Sequence, residues 1–184
     1  MAADMGNKRQ SGGIPHWRPM LVEHLESIND LADKCHPSYP EDAIILEEKL
    51  SLFPFGCFVL HSMEAGVVGY CFSHPWNRGT APSLNRPLTK IPTNPNTYFF
   101  HDIAIRDQNR GGGHVGRIVA IATMVARLWR VHHLSLVAVN RSENIWRHFG
   151  FADTPDEALQ ATIREKYSDE AIHMQKVISP HFDG

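Results

Sequence analysis

Tyr98-Phe99-Phe100-His101-Asp102-Ile103-Ala104-Ile105 is an apolar extended run, and Gln108-Asn109-Arg110-Gly111-Gly112-Gly113-His114-Val115-Gly116-Arg117 follows it with a glycine cluster that opens an apolar helix over about 116–131. A strand that enters a helix through glycines offers a place for an anion. The first N–H groups of a helix lack intrahelical acceptors, the helix dipole puts partial positive charge there, and glycine lets backbone approach the ligand closely. Arg110 and Arg117 add formal charge. A plain flexible connection has the same composition, so the glycines alone leave both readings open. Two nucleotide patterns are excluded: no Gly-Lys-Ser/Thr ending is present, and contiguous glycines before His114 do not make the spaced dinucleotide fingerprint.

Downstream, Leu134-Ser135-Leu136-Val137-Ala138-Val139 reads as a second buried strand, followed by a short helix over 144–148 and by Gly150-Phe151. Thr154-Pro155-Asp156-Glu157 has the form of a capping box with proline at the first helical position, so a helix is expected to about Lys166, and Ala171 to Ile178 forms a last strand. Upstream, Ile14 to Met20 reads as an edge strand. Leu21, Leu25, Ile28 and Leu31 then recur at helical spacing until His36-Pro37, and a second helix starts near Pro40-Glu41-Asp42, with acids in its first turn, and ends before Phe53-Pro54. Cys57 to His61 and Val67 to Phe72 form a hairpin about Glu64-Ala65-Gly66. Residues 73–97, with five prolines and four asparagines, read as one long connection of the kind that carries function. The order is βααββ, long loop, βαβαβ: a mixed α/β (α+β) layered fold, with a disordered tail over 1–13 and a single domain over 14–184.

With these elements in place, Asp102 to Ile105 through Arg110 to Gly113, with Ile118-Val119 after it, resembles the acetyl-CoA signature of the GNAT N-acetyltransferases, a hydrophobic strand followed by Arg/Gln-x-x-Gly-x-Gly/Ala. Gln108 to Gly113 satisfies that spacing; a register starting at Arg110 reaches Gly113 and sets Val115 at the final small position, and both registers stand. Val139-Asn140-Arg141-Ser142-Glu143-Asn144-Ile145-Trp146-Arg147-His148-Phe149-Gly150-Phe151 is similar to the family's strand-end asparagine, short helix and Gly-Phe. Pro40-Glu41-Asp42 with Leu52 to Leu60 resembles the arylalkylamine N-acetyltransferase branch.

The resemblance implies the GNAT fold, a mixed central sheet flanked by helices whose two central strands splay apart. It implies acetyl-CoA as cosubstrate, its pantetheine arm bonded to the backbone of Ile103, Ala104 and Ile105 like an added strand. The pyrophosphate would sit on the turn made by Arg110, Gly111, Gly112, Gly113, His114, Val115 and Gly116. Asn140 and Trp146 would meet the pantetheine end, and the acetyl group would lie between His101 and the segment 140–146. Many members place an acidic tyrosine where Trp146 stands. An indole N–H only donates, so Ser142, Asn140 or water is expected to stabilise the departing thiolate.

His101 interrupts an apolar strand beside the implied cleft and is the expected base, matching a histidine of the arylalkylamine branch; an imidazole titrates near neutrality. Strand alternation sets Asp102 on the opposite face, as an anchor, unless the splay adds a bulge. Tyr39, Phe55 and Trp76, with Tyr167 as a further candidate, are expected to wall an acceptor pocket, with Glu41 and Asp42 near its edge.

Composition narrows partners. A net charge of -2 without a run of one sign excludes an electrostatic footprint for nucleic acid. Three cysteines, Cys35, Cys57 and Cys71, without C-x-x-C spacing, are expected to be buried, reduced thiols, and twelve histidines show no H-x-x-x-H or H-E-x-x-H spacing, so no metal is expected. No signal-like or membrane-spanning run occurs, so no membrane partner and a cytoplasmic location are expected. Three functions remain: acetyl transfer to a small-molecule primary amine, the favoured one because residues 73–97 would cover a small pocket; acetyl transfer to a protein; and a noncatalytic acyl-CoA sensor. The chain is expected to act as a monomer or homodimer.

Overall fold

A computed structural model of the chain describes residues 13–179. All of the expected N-terminal tail except Gly13 lies outside the described residues. Seven strands form one sheet: β1 (His16–Pro19), β2 (Cys57–Ser62), β3 (Gly66–Trp76), β4 (Thr97–Ile105), β5 (His133–Ala138), β6 (Ala152–Asp153) and β7 (Ile172–Val177), in spatial order β1-β2-β3-β4-β5-β7-β6. All neighbours are antiparallel except β4 and β5, which are parallel and joined through α3 (His114–Leu128). The remaining helices are α1 (Leu25–Cys35), α2 (Ala43–Leu52), α4 (Glu143–His148) and α5 (Glu157–Lys166).

Helical periodicity decides the two layers on the sheet. Ile118, Val119, Ala122 and Ala126 line one side of α3 and bury against Tyr98, Phe100, Leu134 and Leu136 on one face of the sheet. Ile28 and Leu31 of α1, with Leu46 and Leu50 of α2, bury against Val59, Tyr70, Phe72 and Ala104 on the other. The indole N–H of Trp17 on the edge strand β1 donates to the carbonyl of His114 at 2.9 Å, tying the start of α3 to the sheet.

Four local expectations are corrected. β3 runs on through Ser73-His74-Pro75-Trp76, so the long connection spans only 77–96. A proline is tolerated there because β2 pairs with β3 no further than Cys57 with Phe72, leaving one side of β3 open beyond that point. Glu41 stands outside α2, whose N-cap is Asp42. The cap of α5 is Asp156, which accepts from the Leu159 N–H at 3.0 Å, while the Thr154 hydroxyl is turned to His173 Nδ1 at 2.7 Å. The thiol of Cys35 is half-buried, not buried like those of Cys57 and Cys71.

Where β2 begins, the chain passes so close to β3 that a Cβ on Gly56 would lie 1.8 Å from the Ser73 carbonyl oxygen. The Ser73 hydroxyl, which donates to the Gly56 carbonyl at 2.8 Å, fixes that approach. Gly56→Ala therefore forces two backbones apart and should cost about 3 kcal/mol by overpacking. Thermal melts should show the midpoint lowered by roughly 6–12 °C; an unchanged midpoint would rule out this close approach.

Candidate active site

β4 and β5 pair only through Tyr98 with Leu134, Phe99 with Ser135 and Phe100 with Leu136. Beyond Phe100 the two strands separate, and β4 keeps a partner on the β3 side alone. A cleft of about 1080 Å³ opens in the gap. Ile103, Ala104 and Ile105 form one wall, offering strand backbone on the side that β5 has left, and Leu136, Val139 and Asn140 form the other.

The glycine turn closes one end of this cleft. Gly113 is the N-cap of α3 with φ +70°, and Gly111 has φ +83°, two left-handed positions suited to glycine. Arg110, Gly111, Gly113, His114 and Val115 line the cleft. Gly112 and Gly116 do not border it. A side chain at 112 would meet the His114 ring at 2.5 Å, and one at 116 would meet Phe149 at 3.1 Å, so both glycines serve packing. The exposed Arg110 guanidinium pairs with Asp107 at 2.9 Å and donates from Nε to the Ile105 carbonyl, which holds it beside the turn. At the other wall, Asn140 and Arg141 leave β5 with φ of +54° and +56°, a bend that turns Asn140, Ser142 and Trp146 toward the cleft. Trp146 is a buried wall residue packed on Phe100 and Phe151.

The splay does add a bulge, which removes the opposition of His101 and Asp102 that plain alternation gives. Phe72 pairs with Asp102 and the next residue, Ser73, with Phe100, so His101 is an extra residue in β4. Facing therefore changes parity: Tyr98 and Phe100 look toward α3, Asp102 and Ala104 toward α1 and α2, and His101 looks the same way as Asp102.

Behind these two residues lies a compact set of charges. Glu41 accepts from Lys49 Nζ at 3.1 and 3.0 Å and from His101 Nε2 at 3.3 Å, with side chains 5%, 1% and 5% exposed respectively. Burial works against the Glu41 charge, and His101 and Lys49 override it, holding the carboxyl down to about 2. Burial, then the Lys49 charge, lowers His101. His101 Nδ1 lies 3.4 Å from Nε2 of His74, a ring whose Nδ1 faces the Pro75 carbonyl at 3.1 Å. Asp102 accepts from the Tyr70 hydroxyl at 2.6 Å and faces His36 Nε2 across 3.2 Å.

A second, small cavity of about 50 Å³ adjoins the cleft, and His36, His101, Asp102, Val137 and Val139 border both. Tyr39, Leu84, Phe99 and Tyr167 enclose it. The Tyr39 hydroxyl donates to Ser168 at 2.9 Å, and that of Tyr167 donates to the Pro82 carbonyl at 2.6 Å, tying segment 77–96 to this wall. The expected aromatic wall is thus made by Tyr39 and Tyr167 only. Trp76 packs on His74 and Phe55 on Phe53, outside both cavities. His36, Lys49 and Tyr70 escaped sequence reasoning; for His36 the available signal was a histidine placed at a helix stop, followed by proline. Among the described residues no group of three or more His, Cys, Asp or Glu is placed to hold a metal ion, and no helix is long and apolar enough to cross a membrane.

Comparison with solved structures finds this architecture in Ard1 from Thermoplasma volcanium, with TM-score 0.69, 13% identity and coverage of 91% of this chain and 99% of that one. It recurs in the GphF GNAT-like decarboxylase in complex with isobutyryl-CoA (TM-score 0.66, 13% identity, 89% and 100% covered). A structure of the NatC complex bound to Gag peptide and CoA gives TM-score 0.68, 17% identity and 91% and 100% coverage. No family sequence model and no curated protein sequence matches the chain. The fold is the GNAT fold, one of these structures is of a decarboxylase, and a fold does not fix a reaction, so the activity of this chain has to be argued from its site.

The buried histidines make stability depend on pH. Burial, the largest influence on each, holds His74 down to about 3 and His173 to about 4. In the unfolded chain each takes a proton near pH ~6.5, so below that value the unfolded state binds more protons and stability falls as pH falls. The depressed Glu41 adds a further loss below its ordinary 4.5, complete near 2. Urea unfolding should show free energy declining from about pH 6.5 downward, with a shallower decline in His74→Asn; a profile flat from pH 7 to 4 would contradict a buried neutral His74.

Proposed function

We propose that the protein is an acetyl-CoA-dependent N-acetyltransferase that acetylates a primary amine of a small molecule. The observation that carries the proposal is the meeting of two spaces. A strand-walled cleft ending on a glycine turn at a helix N-terminus suits a long, anionic acyl-CoA. The small, partly aromatic cavity that adjoins it has room for the amine head of an acceptor, whose body would extend into the cleft. The cosubstrate supplies an activated thioester; the chain supplies binding, orientation and proton removal. Ile103 to Ile105 would bond the pantetheine, Arg110 and the turn the pyrophosphate, and Ser142 or Asn140 the departing sulfur.

A small amine is favoured over a protein because segment 77–96 roofs the acceptor cavity through Leu84 and Pro82. The peptide in the NatC structure belongs to that protein; a protein acceptor here would need the roof to lift. Tyr39, Phe99 and Tyr167, with Glu41, favour a cationic amine head in that cavity. A noncatalytic sensor would bind acetyl-CoA and release its thiol at a rate indifferent to every amine.

The test is a screen of primary amines with acetyl-CoA, following CoA thiol release. Small aryl or alkyl amines should accelerate it; turnover confined to lysine peptides would transfer the role to a protein acetyltransferase, and no acceptor dependence would leave the sensor. Arg110→Ala should weaken CoA binding about tenfold in calorimetry, as loss of one charge-assisted contact does, while leaving pantetheine fragments without the pyrophosphate unaffected. Equal weakening of both would remove Arg110 from the pyrophosphate site.

A further inference from the structure

Resting on the acetyl-transfer reading, we infer that His36, oriented by Asp102, takes the proton from the acceptor amine, and that His101 does not. The cleft and the acceptor cavity share His36, His101 and Asp102, so amine nitrogen and thioester carbon have to meet beside these three side chains. Their hydrogen bonds separate the candidates. His101 is 5% exposed, with Nε2 spent on Glu41 and Nδ1 facing His74. Asp102 is engaged by Tyr70 and His36.

His36 is free where it matters. Its Nε2 faces two acceptors, Asp102 Oδ1 at 3.2 Å and the Ile103 carbonyl at 3.3 Å, so this nitrogen carries the hydrogen. The lone pair is left on Nδ1, where the Asn140 amide stands at 3.4 Å, a long contact that an amine N–H can replace. The local chain puts it there. His36 is the C-cap of α1, with φ -130° and its N–H on the Ala32 carbonyl, and Pro37 stops the helix so that the ring projects between the two cavities.

Every surrounding charge bears on this ring. Asp102 from β4 and the C-terminal end of α1 favour an imidazolium. Arg110, from the glycine turn, opposes it, as does burial. Lys34 and Cys35 adjoin it on its own helix and line the same cleft. Glu41 borders the small cavity together with His36 and favours an imidazolium there, a pull weakened by its pairing with Lys49. The outcome favours the proton: burial would lower His36, and the Asp102 bond and charge raise it above the ordinary imidazole value.

The step balances simply. The ammonium gives one proton to Nδ1, making an imidazolium paired with Asp102. The neutral nitrogen attacks the thioester carbon, the C–N bond forms and the C–S bond breaks. The second nitrogen proton passes to the departing sulfur, and His36 later returns its proton to solvent.

The experiment is a pH–rate profile with the amine identified in the screen, joined to an NMR titration of the His36 Cε1–H. His36→Gln should lower kcat about 10²-fold, remove the acidic limb and leave acetyl-CoA affinity within a few-fold. His101→Gln should keep the limb, and Asp102→Asn should move it to lower pH. The His36 signal should titrate above ~6.5 in the wild type and lower in Asp102→Asn. A limb that survives in His36→Gln, or one lost in His101→Gln alone, overturns the assignment, as does a His36 signal that titrates below ~6.5 in the wild type. A wild type that acetylates no amine fails the acetyl-transfer reading itself, whereas an active wild type indifferent to His36 fails this inference alone.

Discussion

One extra residue in β4 governs the site. The bulge at His101 coincides with the last β4–β5 pair, so the place where the strand changes facing is also where it loses its neighbour. Before the bulge, Phe100 belongs to the core under α3; after it, Asp102 and Ala104 belong to the layer of α1 and α2. Without the extra residue, strand alternation would set His101 and Asp102 on opposite faces. With it, both side chains reach the space under the C-terminal end of α1, while the backbone of Ile103 to Ile105 borders the cleft. Where β5 has left, side chains take up the strand carbonyls, His36 that of Ile103 and Arg110 that of Ile105.

The Glu41–Lys49 pair has a related consequence on the acceptor side. Burying two charges is costly, and an apolar pair of similar volume would serve packing as well, so stability alone does not account for it. Its geometry points to placement. Glu41 accepts from the backbone N–H of Asn85 at 3.2 Å, and Glu48, a turn earlier than Leu52 on the same helix, accepts from Leu88 and Thr89 at 2.8 and 2.9 Å. Acids on and just before α2 therefore hold segment 77–96, and this segment brings Leu84 over the acceptor cavity. The same carboxylate fixes the His101 ring, so roof and floor of the cavity share one anchor.

What the sequence revealed was the part written in local pattern. The apolar runs at 98–105 and 134–139, the glycines between them and the helical spacing of Ile118, Val119, Ala122 and Ala126 are visible without knowledge of the rest of the chain. What stayed hidden depends on partners distant in sequence. Pro75 looked like a loop residue because its tolerance depends on where β2 ends. Thr154 looked like a cap because T-x-x-E is satisfied, yet His173 claims its hydroxyl. Glu41 looked like an acid of a first helical turn at the edge of an acceptor pocket, whereas it stands before α2 and is drawn inward by Lys49 and His101. His36 looked like a helix terminator, which it is; that the terminator points into the meeting place of two cavities follows only from the packing of α1 on the sheet.

The two histidines at the site show how environment divides roles among identical side chains. Both are imidazoles with the same ordinary titration range, and a carboxylate approaches Nε2 of each. They differ in what else surrounds them. The carboxylate at His101 is already matched by a buried ammonium 3.0 Å away, and that ammonium repels a proton from the ring. The carboxylate at His36 is bound by a neutral phenol, so its full charge is available to an imidazolium. Exposure runs in the same sense, 5% against 18% for the two side chains. Environments that push two like groups apart in proton affinity can divide structure from chemistry between them, and the assignment of proton removal to His36, which the strand pattern did not single out, rests on that difference.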